Sequence, residues 1–150
     1  EEDHVRAAVA ELGEIQLWRI AIKPGKPFAF GRVGGTPFLG LPGNPSSAFV
    51  TFLVVALPLL RKLQGALDAP LRGFTARANF TVPQPGSRRE YLRVLLEERE
   101  GGWVALSAGN QSSGVISSLC KASALAVVPA GATLARGDPV EVLPLEGLLP

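Results

Sequence analysis

Two stretches, IKPGKPFAFG (residues 22–31) and GLPGNPSSAF (residues 40–49), decide how this chain is read. In each, an apolar run meets Pro and Gly with polar or basic side chains at the tip, a punctuation that ends a strand and opens a turn. After the second stretch the pattern changes to AFVTFLVVALPLL (48–60), apolar but interrupted by Thr51 and Pro58. The run falls short of the roughly 20 residues a membrane span needs, so a buried helix is expected instead. It should extend from Ser46 to about Leu63, be kinked or broken by Pro58, and be closed by Gly65.

Upstream, Val5, Ala8, Val9 and Leu12 recur at helical spacing from Asp3, with Gly13 as the stop. IQLWRIAI (15–22) is rich in β-branched and aromatic residues and reads as one strand. PFAFGRV and TPFLGL read as a hairpin turning at Gly34-Gly35. Helix, strands and helix through residue 65 make the C-terminal half of an α/β layer domain. Past the GALDAPLRG stretch, the runs FTARANFTV, EYLRVLLEE, WVALS, ALAVVP and PVEVLP alternate with turn-forming segments, which predicts a small all-β barrel or sandwich. The expected division is an α/β part over 1–65, a linker over 66–72 and a β-barrel domain over 73–150.

The composition sets limits on function. With 150 residues, 47% hydrophobic and 19% charged, the chain can bury a core for one domain or two small ones. A net charge of +2 without any block of Lys or Arg points to small anions rather than nucleic acid. The N-terminal EEDHVRAAV lacks the basic start and apolar middle of a signal peptide, and the lone Cys120 fits a reducing cytoplasm. Methionine is absent even at position 1, so a piece of a longer protein is expected.

A strand that ends in Gly and Pro and then enters a helix leaves backbone N–H groups open to an anion. LPGNPSSAF fits that design. Pro42 and Pro45 fix the backbone, Gly43 permits close approach, Asn44 or Ser46 can cap, and Ser47 lies in the first turn. The bland reading is an ordinary capped strand-to-helix turn. In KPGKP, Lys23 and Lys26 add two point charges suited to phosphate or another oxyanion, against the alternative of plain solubility residues. If the strands before both loops are neighbours in one sheet, the loops share an edge where α/β folds bind ligands. His4 has no Cys/His cluster beside it, and Cys120 has no base at a recognisable spacing, so Cys120 is expected to be a small buried residue. Trp18 and Trp103 are expected in core or interface, and Arg88 and Arg89 in a solvated turn.

The residues EEDHVRAAVAELG, KPGKPFAFG, GLPGNPSSAFVTFLVVALPLLRKLQG, REYLRV, GNQSSGVISSL and GDPVEVLP closely resemble the molybdopterin molybdenumtransferase family, the MoeA-like enzymes that include the E domains of gephyrin and its plant relatives. The resemblance implies a MoaB/MogA-like α/β domain followed by a small barrel. It implies insertion of molybdenum from molybdate into adenylylated molybdopterin with release of AMP, assisted by Mg2+ or a similar ion. By motif matching, Lys23 and Lys26 hold oxyanion oxygens, with Arg19 nearby where relatives often carry Lys. Asn44, Ser47 and the amides after Gly43 cradle another anion. Asp3 is the candidate for Mg2+ coordination or for orienting a water, against a helix cap. Arg93 and Ser113 complete the cleft, from the partner subunit of a homodimer. The family's earlier segments, including its Ser-Gly-Gly loop, are expected before residue 1, so the 150-residue chain alone should be poorly active or inactive. A further expected partner is the molybdopterin adenylyltransferase that supplies substrate; no nucleic acid or membrane is expected. Two other readings stand beside this one: a non-catalytic scaffold or peptide-binding module of the same family, and, weakly, a nucleic-acid-binding barrel whose sparse aromatics lack an interleaved basic cluster.

Overall fold

The computed structural model describes residues 4–66 and 71–146. Helix α1 (His4–Leu12) runs directly into strand β1 (Gly13–Trp18), followed by β2 (Ile22–Lys23), β3 (Ala29–Val33) and β4 (Thr36–Gly40). Only Val9 of the expected apolar stripe on α1 is buried, while Val5 and Leu12 are exposed. Gly13 is not a helix stop; it begins β1, where a Cβ would collide with the Arg32 carbonyl of β3. Strands β1, β3 and β4 form an antiparallel sheet in that order, and the β3–β4 hairpin turns at Gly34 (φ 53°) and Gly35 (φ 83°). Two successive positive φ values are what a two-residue hairpin turn demands.

The expected single strand over 15–22 is broken in two. Arg19 sits at φ 83°, a conformation few non-glycine residues adopt, and its N–H donates to the Phe28 carbonyl. The chain turns there, so β2 leaves the first sheet and joins a second one, pairing in parallel with β6.

The apolar helix spans Pro45 to Leu63 as α2 (Pro45–Thr51), a π-helical turn (Phe52–Ala56) and α3 (Leu57–Leu63). Pro58 neither breaks it nor bends it into a loop. A proline removes one N–H and crowds the carbonyl four residues back. The wider turn just ahead of it, with the Leu57 N–H bonded to the Phe52 carbonyl, absorbs that conflict within a continuous helix. The 19-residue segment is long and apolar enough to cross a membrane by length and composition, with a mean hydropathy of 1.6. It packs instead on the outside of the barrel, where Val50, Leu53 and Leu57 meet Tyr91, Leu125, Val127 and Leu143.

That barrel comprises β5 (Phe74–Ala78), β6 (Arg89–Arg99), β7 (Gly102–Ser107), β8 (Ala124–Val128) and β9 (Pro139–Pro144), closed in the order β6-β7-β5-β9-β8 and back to β6. A short helix, α4 (Ser117–Lys121), precedes β8 and had no counterpart in the sequence pattern. The lumen of so narrow a barrel favours small side chains. It is filled by Ala76, Ala78, Ala105, Ala124 and Ala126 with Val94, Val128, Val140, Val142 and Leu92. Strand β8 is buried along its whole length, because its even residues fill the lumen while Leu125 and Val127 face the long helix. This double burial explains the unbroken apolar run ALAVV.

Candidate functional site

Strand β6 organises the site. Its even residues Leu92 and Val94 point into the lumen and its odd residues Tyr91 and Arg93 point to the other face. Arg93 is fully buried at 0% exposure, a rare state for an arginine without a bonded carboxylate. Its Nε donates to Ser118 Oγ at 3.2 Å, and its Nη2 donates to the carbonyls of Asn110 and Ser112 at 3.2 and 3.1 Å. Its Nη1 is buried with no acceptor. Burial pulls the guanidinium pKa below its ordinary value, and the nearby Glu90 carboxylate opposes that shift.

Beyond the end of β7, the edge of β6 is free to take other partners. Gln111 fills part of it as a strand would: its Oε1 accepts from the Arg93 N–H and its Nε2 donates to the Arg93 carbonyl, both at 2.9 Å. Further along, β2 pairs Lys23 with Glu90, and Lys23 Nζ lies 2.8 Å from Glu90 Oε1. Arg88 lies in the bend just before β6, half-buried with Nη1 donating to the Ile22 carbonyl at 3.1 Å, while Arg89 is exposed but already in β6, paired with Ile22 rather than in a turn. The gap between β2 and β7 opens a cleft of about 510 Å3, with Lys23, Glu90, Arg93, Ser107 and Gln111 among its walls.

The loop carrying Ser113 folds over the start of α2. Asn44 has the extended backbone of a helix cap, yet its side chain does not cap; Nδ2 donates to Ser113 Oγ at 3.4 Å. The Ser46 N–H donates to the Ser113 carbonyl at 3.3 Å, and Ser46 Oγ donates to the Val115 carbonyl at 2.9 Å. The supposed open cradle of amides is therefore partly filled by the protein itself, and Ser47 is buried, 4% exposed. A side chain at Gly43 would meet nothing within 4 Å, so internal packing does not require glycine there.

The two opening loops do meet, although not by the expected route. Strands β2 and β4 belong to different sheets. The contact is Gly25 (φ 122°), where a Cβ would collide with Thr51 Oγ1 on the helix that follows the second loop. Thr51 is itself fixed by donating to the Ser47 carbonyl at 2.6 Å.

The structure thus joins Asn44 to Ser113, Ser112 to Arg93, and Lys23 to the cleft beside Arg93, all within one chain. Within the chain itself, Ser113 lies beside Asn44. Lys26 and Arg19 are exposed on the loop, tied through backbone bonds from Arg19 to Phe28 and from Ile20 to Lys26. Asp3 lies outside the described residues, and among the described residues no three His, Cys, Asp or Glu side chains gather as a metal cage. Cys120 is exposed rather than buried, because α4 turns Ser118 inward and Cys120 outward. Trp18 is half-buried with the Arg6 guanidinium 5.0 Å from its ring centroid, and Trp103 is 40% exposed against Phe74. Glu90 and Gln111 were not singled out from sequence. Glu90 stood in the quoted REYLRV and Gln111 in GNQSSG, but only the β2–β6 pairing and the end of β7 give them roles.

Comparisons with known proteins agree with this architecture. Residues 1–62 match the family described as "Probable molybdopterin binding domain" and residues 75–145 match "MoeA C-terminal region (domain IV)". The chain is 36% identical to the molybdopterin molybdenumtransferase of Haemophilus influenzae over 99% of its own length and 38% of that protein. It is 35% identical to molybdopterin molybdenumtransferase 1 of Mycobacterium tuberculosis, over 92% of this chain and 34% of that one. A crystal structure of the molybdopterin biosynthesis MoeA protein of Pyrococcus horikoshii superposes with a TM-score of 0.76 at 32% identity, covering 95% of this chain and 34% of that one. The chain therefore spans between a third and two-fifths of the length of these relatives. Fold and site define a two-part chain, an α/β unit whose long helix rests on a closed β-barrel with basic groups where the two meet. Within that class, the chain belongs to the MoeA family of molybdopterin molybdenumtransferases.

Proposed function

We propose that this chain is the part of a molybdopterin molybdotransferase that holds anionic substrate groups during insertion of molybdate into adenylylated molybdopterin. The observation that carries the reading is the half-exposed Lys23 in the cleft wall, with the fully buried Arg93 guanidinium behind that wall bonded only to neutral oxygens. A buried cation without a carboxylate partner costs stability, and an anionic ligand offsets that cost. The substrate's phosphates, its dithiolene and molybdate all supply negative charge. Lys23 and Arg93 are assigned to oxyanion oxygens, Lys26 and Arg19 to the exposed approach, and Asn44 and Ser113 to one polar wall. Ser47 and Gly43 support that wall through the fold of the loop and the start of α2.

Mg2+ is assigned to Asp3 by resemblance. The division into 1–65, 66–72 and 73–150, a homodimer, a cytoplasmic setting and supply by a molybdopterin adenylyltransferase complete the proposal. The 150-residue chain by itself is proposed to be inactive, since it spans well under half of its relatives.

The test is AMP release from adenylylated molybdopterin by the full-length protein, with and without molybdate, comparing wild type with Lys23→Ala. Molybdate-dependent release that falls by at least about tenfold in the variant is expected, as for loss of one preorganised charge contact. Release that the substitution leaves intact moves the anion site elsewhere; no release from a folded protein replaces the enzyme by the scaffold role.

A further inference from the structure

Among the described residues lining the 510 Å3 cleft, Glu90 is the single acid, set beside Lys23. Its carboxylate is 2.8 Å from Lys23 Nζ and its side chain is only 16% exposed, while that of Lys23 is 55% exposed. The placement is built into the backbone, because the parallel register of β2 on β6 puts Lys23 directly opposite Glu90. An ion pair with one half-exposed partner contributes little to stability. The same carboxylate nevertheless offsets the charge of the one cation in the cleft that solvent reaches.

We propose that Glu90 sets the charge selectivity of this cleft. By engaging Lys23 it neutralises the cation that faces a ligand, so an oxyanion meets a counter-charge already in place and its binding is held down in proportion to its own charge. The inference rests on the anion-site reading above. It follows that removing the carboxylate while keeping its shape strengthens binding of a dianion more than of a monoanion. Coulomb energy scales with ligand charge, so the gain for a dianion is the square of that for a monoanion: about tenfold against about threefold.

The experiment measures binding of two tetrahedral probes, inorganic molybdate as dianion and perrhenate as monoanion, to the full-length protein at pH about 8, where carboxylates are ionised. Wild type, Glu90→Gln, Glu90→Ala and Lys23→Ala are compared by calorimetry, with melting temperatures as the check on folding. Both Glu90 variants are expected to bind molybdate more tightly and to raise the molybdate-to-perrhenate ratio about threefold. An unchanged ratio in both variants, with Lys23→Ala still weakened, overturns the role of Glu90 and leaves the anion site standing. A raised ratio with Lys23→Ala binding like wild type supports Glu90 while removing Lys23 as a ligand. Absence of molybdate binding in wild type overturns the site and this inference together.

Discussion

Arg93 carries a full charge to a fully buried position, where its three hydrogen bonds all go to uncharged oxygens and one donor group has none. Such an arrangement stabilises the fold poorly, since replacing buried charges by apolar groups of similar volume is often neutral or favourable. Arg93→Met is therefore expected to change unfolding free energy by less than about 1 kcal/mol while lowering molybdate affinity by about tenfold or more. Chemical denaturation and calorimetry check the two halves separately. A depressed pKa in the folded state means that the unfolded chain binds this proton more tightly, so the cost of burial is present wherever arginine is protonated in both states. The stability difference between variant and wild type should therefore be flat between about pH 5 and pH 9, far below arginine's own range. Asn44 and Ser46 were expected to cap the helix, and their bonds to Ser113 and Val115 instead are a product of the loop over α2.

At the scale of elements, the loop from Ala108 to Val115 has little regular structure of its own and depends on a few side-chain bonds. Gln111 is the main one, giving β6 the donor and acceptor that β7 no longer supplies. Gln111→Ala leaves the Arg93 N–H without that acceptor, which is expected to cost about 1–3 kcal/mol. The same change should speed hydrogen exchange at the amides of Ser46 and Val115, whose partners belong to this loop. Unaltered exchange there would show that the loop is held by other means. The helix shows the same dependence on context. Its apolar run and length were plain from residues 48–60, and so was a disturbance near Pro58. That the disturbance takes the form of a π-helical turn depends on keeping Leu53 and Leu57 both against the barrel, a constraint external to the helix.

For the molecule as a whole, the second core joins the two halves of the chain. Val50, Leu53 and Leu57 come from the helix, and Tyr91, Leu125, Val127 and Leu143 from the barrel. Strand β2 adds a backbone pairing between the same halves. Unfolding is accordingly expected to be one transition. Trp18 reports the first half and Trp103 the barrel, so Trp18→Phe and Trp103→Phe variants should give coincident urea curves. Leu53→Ala, at 1% exposure in wild type, should lower stability by about 2–5 kcal/mol and shift both curves together. Separate midpoints would mean that the shared core does not couple the halves.

Apolar patterning by itself determined the long helix, the Gly34-Gly35 hairpin and the β-rich second half, because helix and strand periods and turn chemistry are local properties. Family resemblance carried the candidates Lys23 and Asn44 in the two Pro/Gly loops and Arg93 and Ser113 in REYLRV and GNQSSG. Only tertiary structure decided that the 15–22 run breaks at Arg19, that its end joins the barrel beside β6, and that Glu90 faces Lys23. Those outcomes depend on pairings between residues some 65 positions apart. A chain's local preferences cannot specify such pairings, whose selection comes from burying Leu125, Val127 and the long helix in one common core.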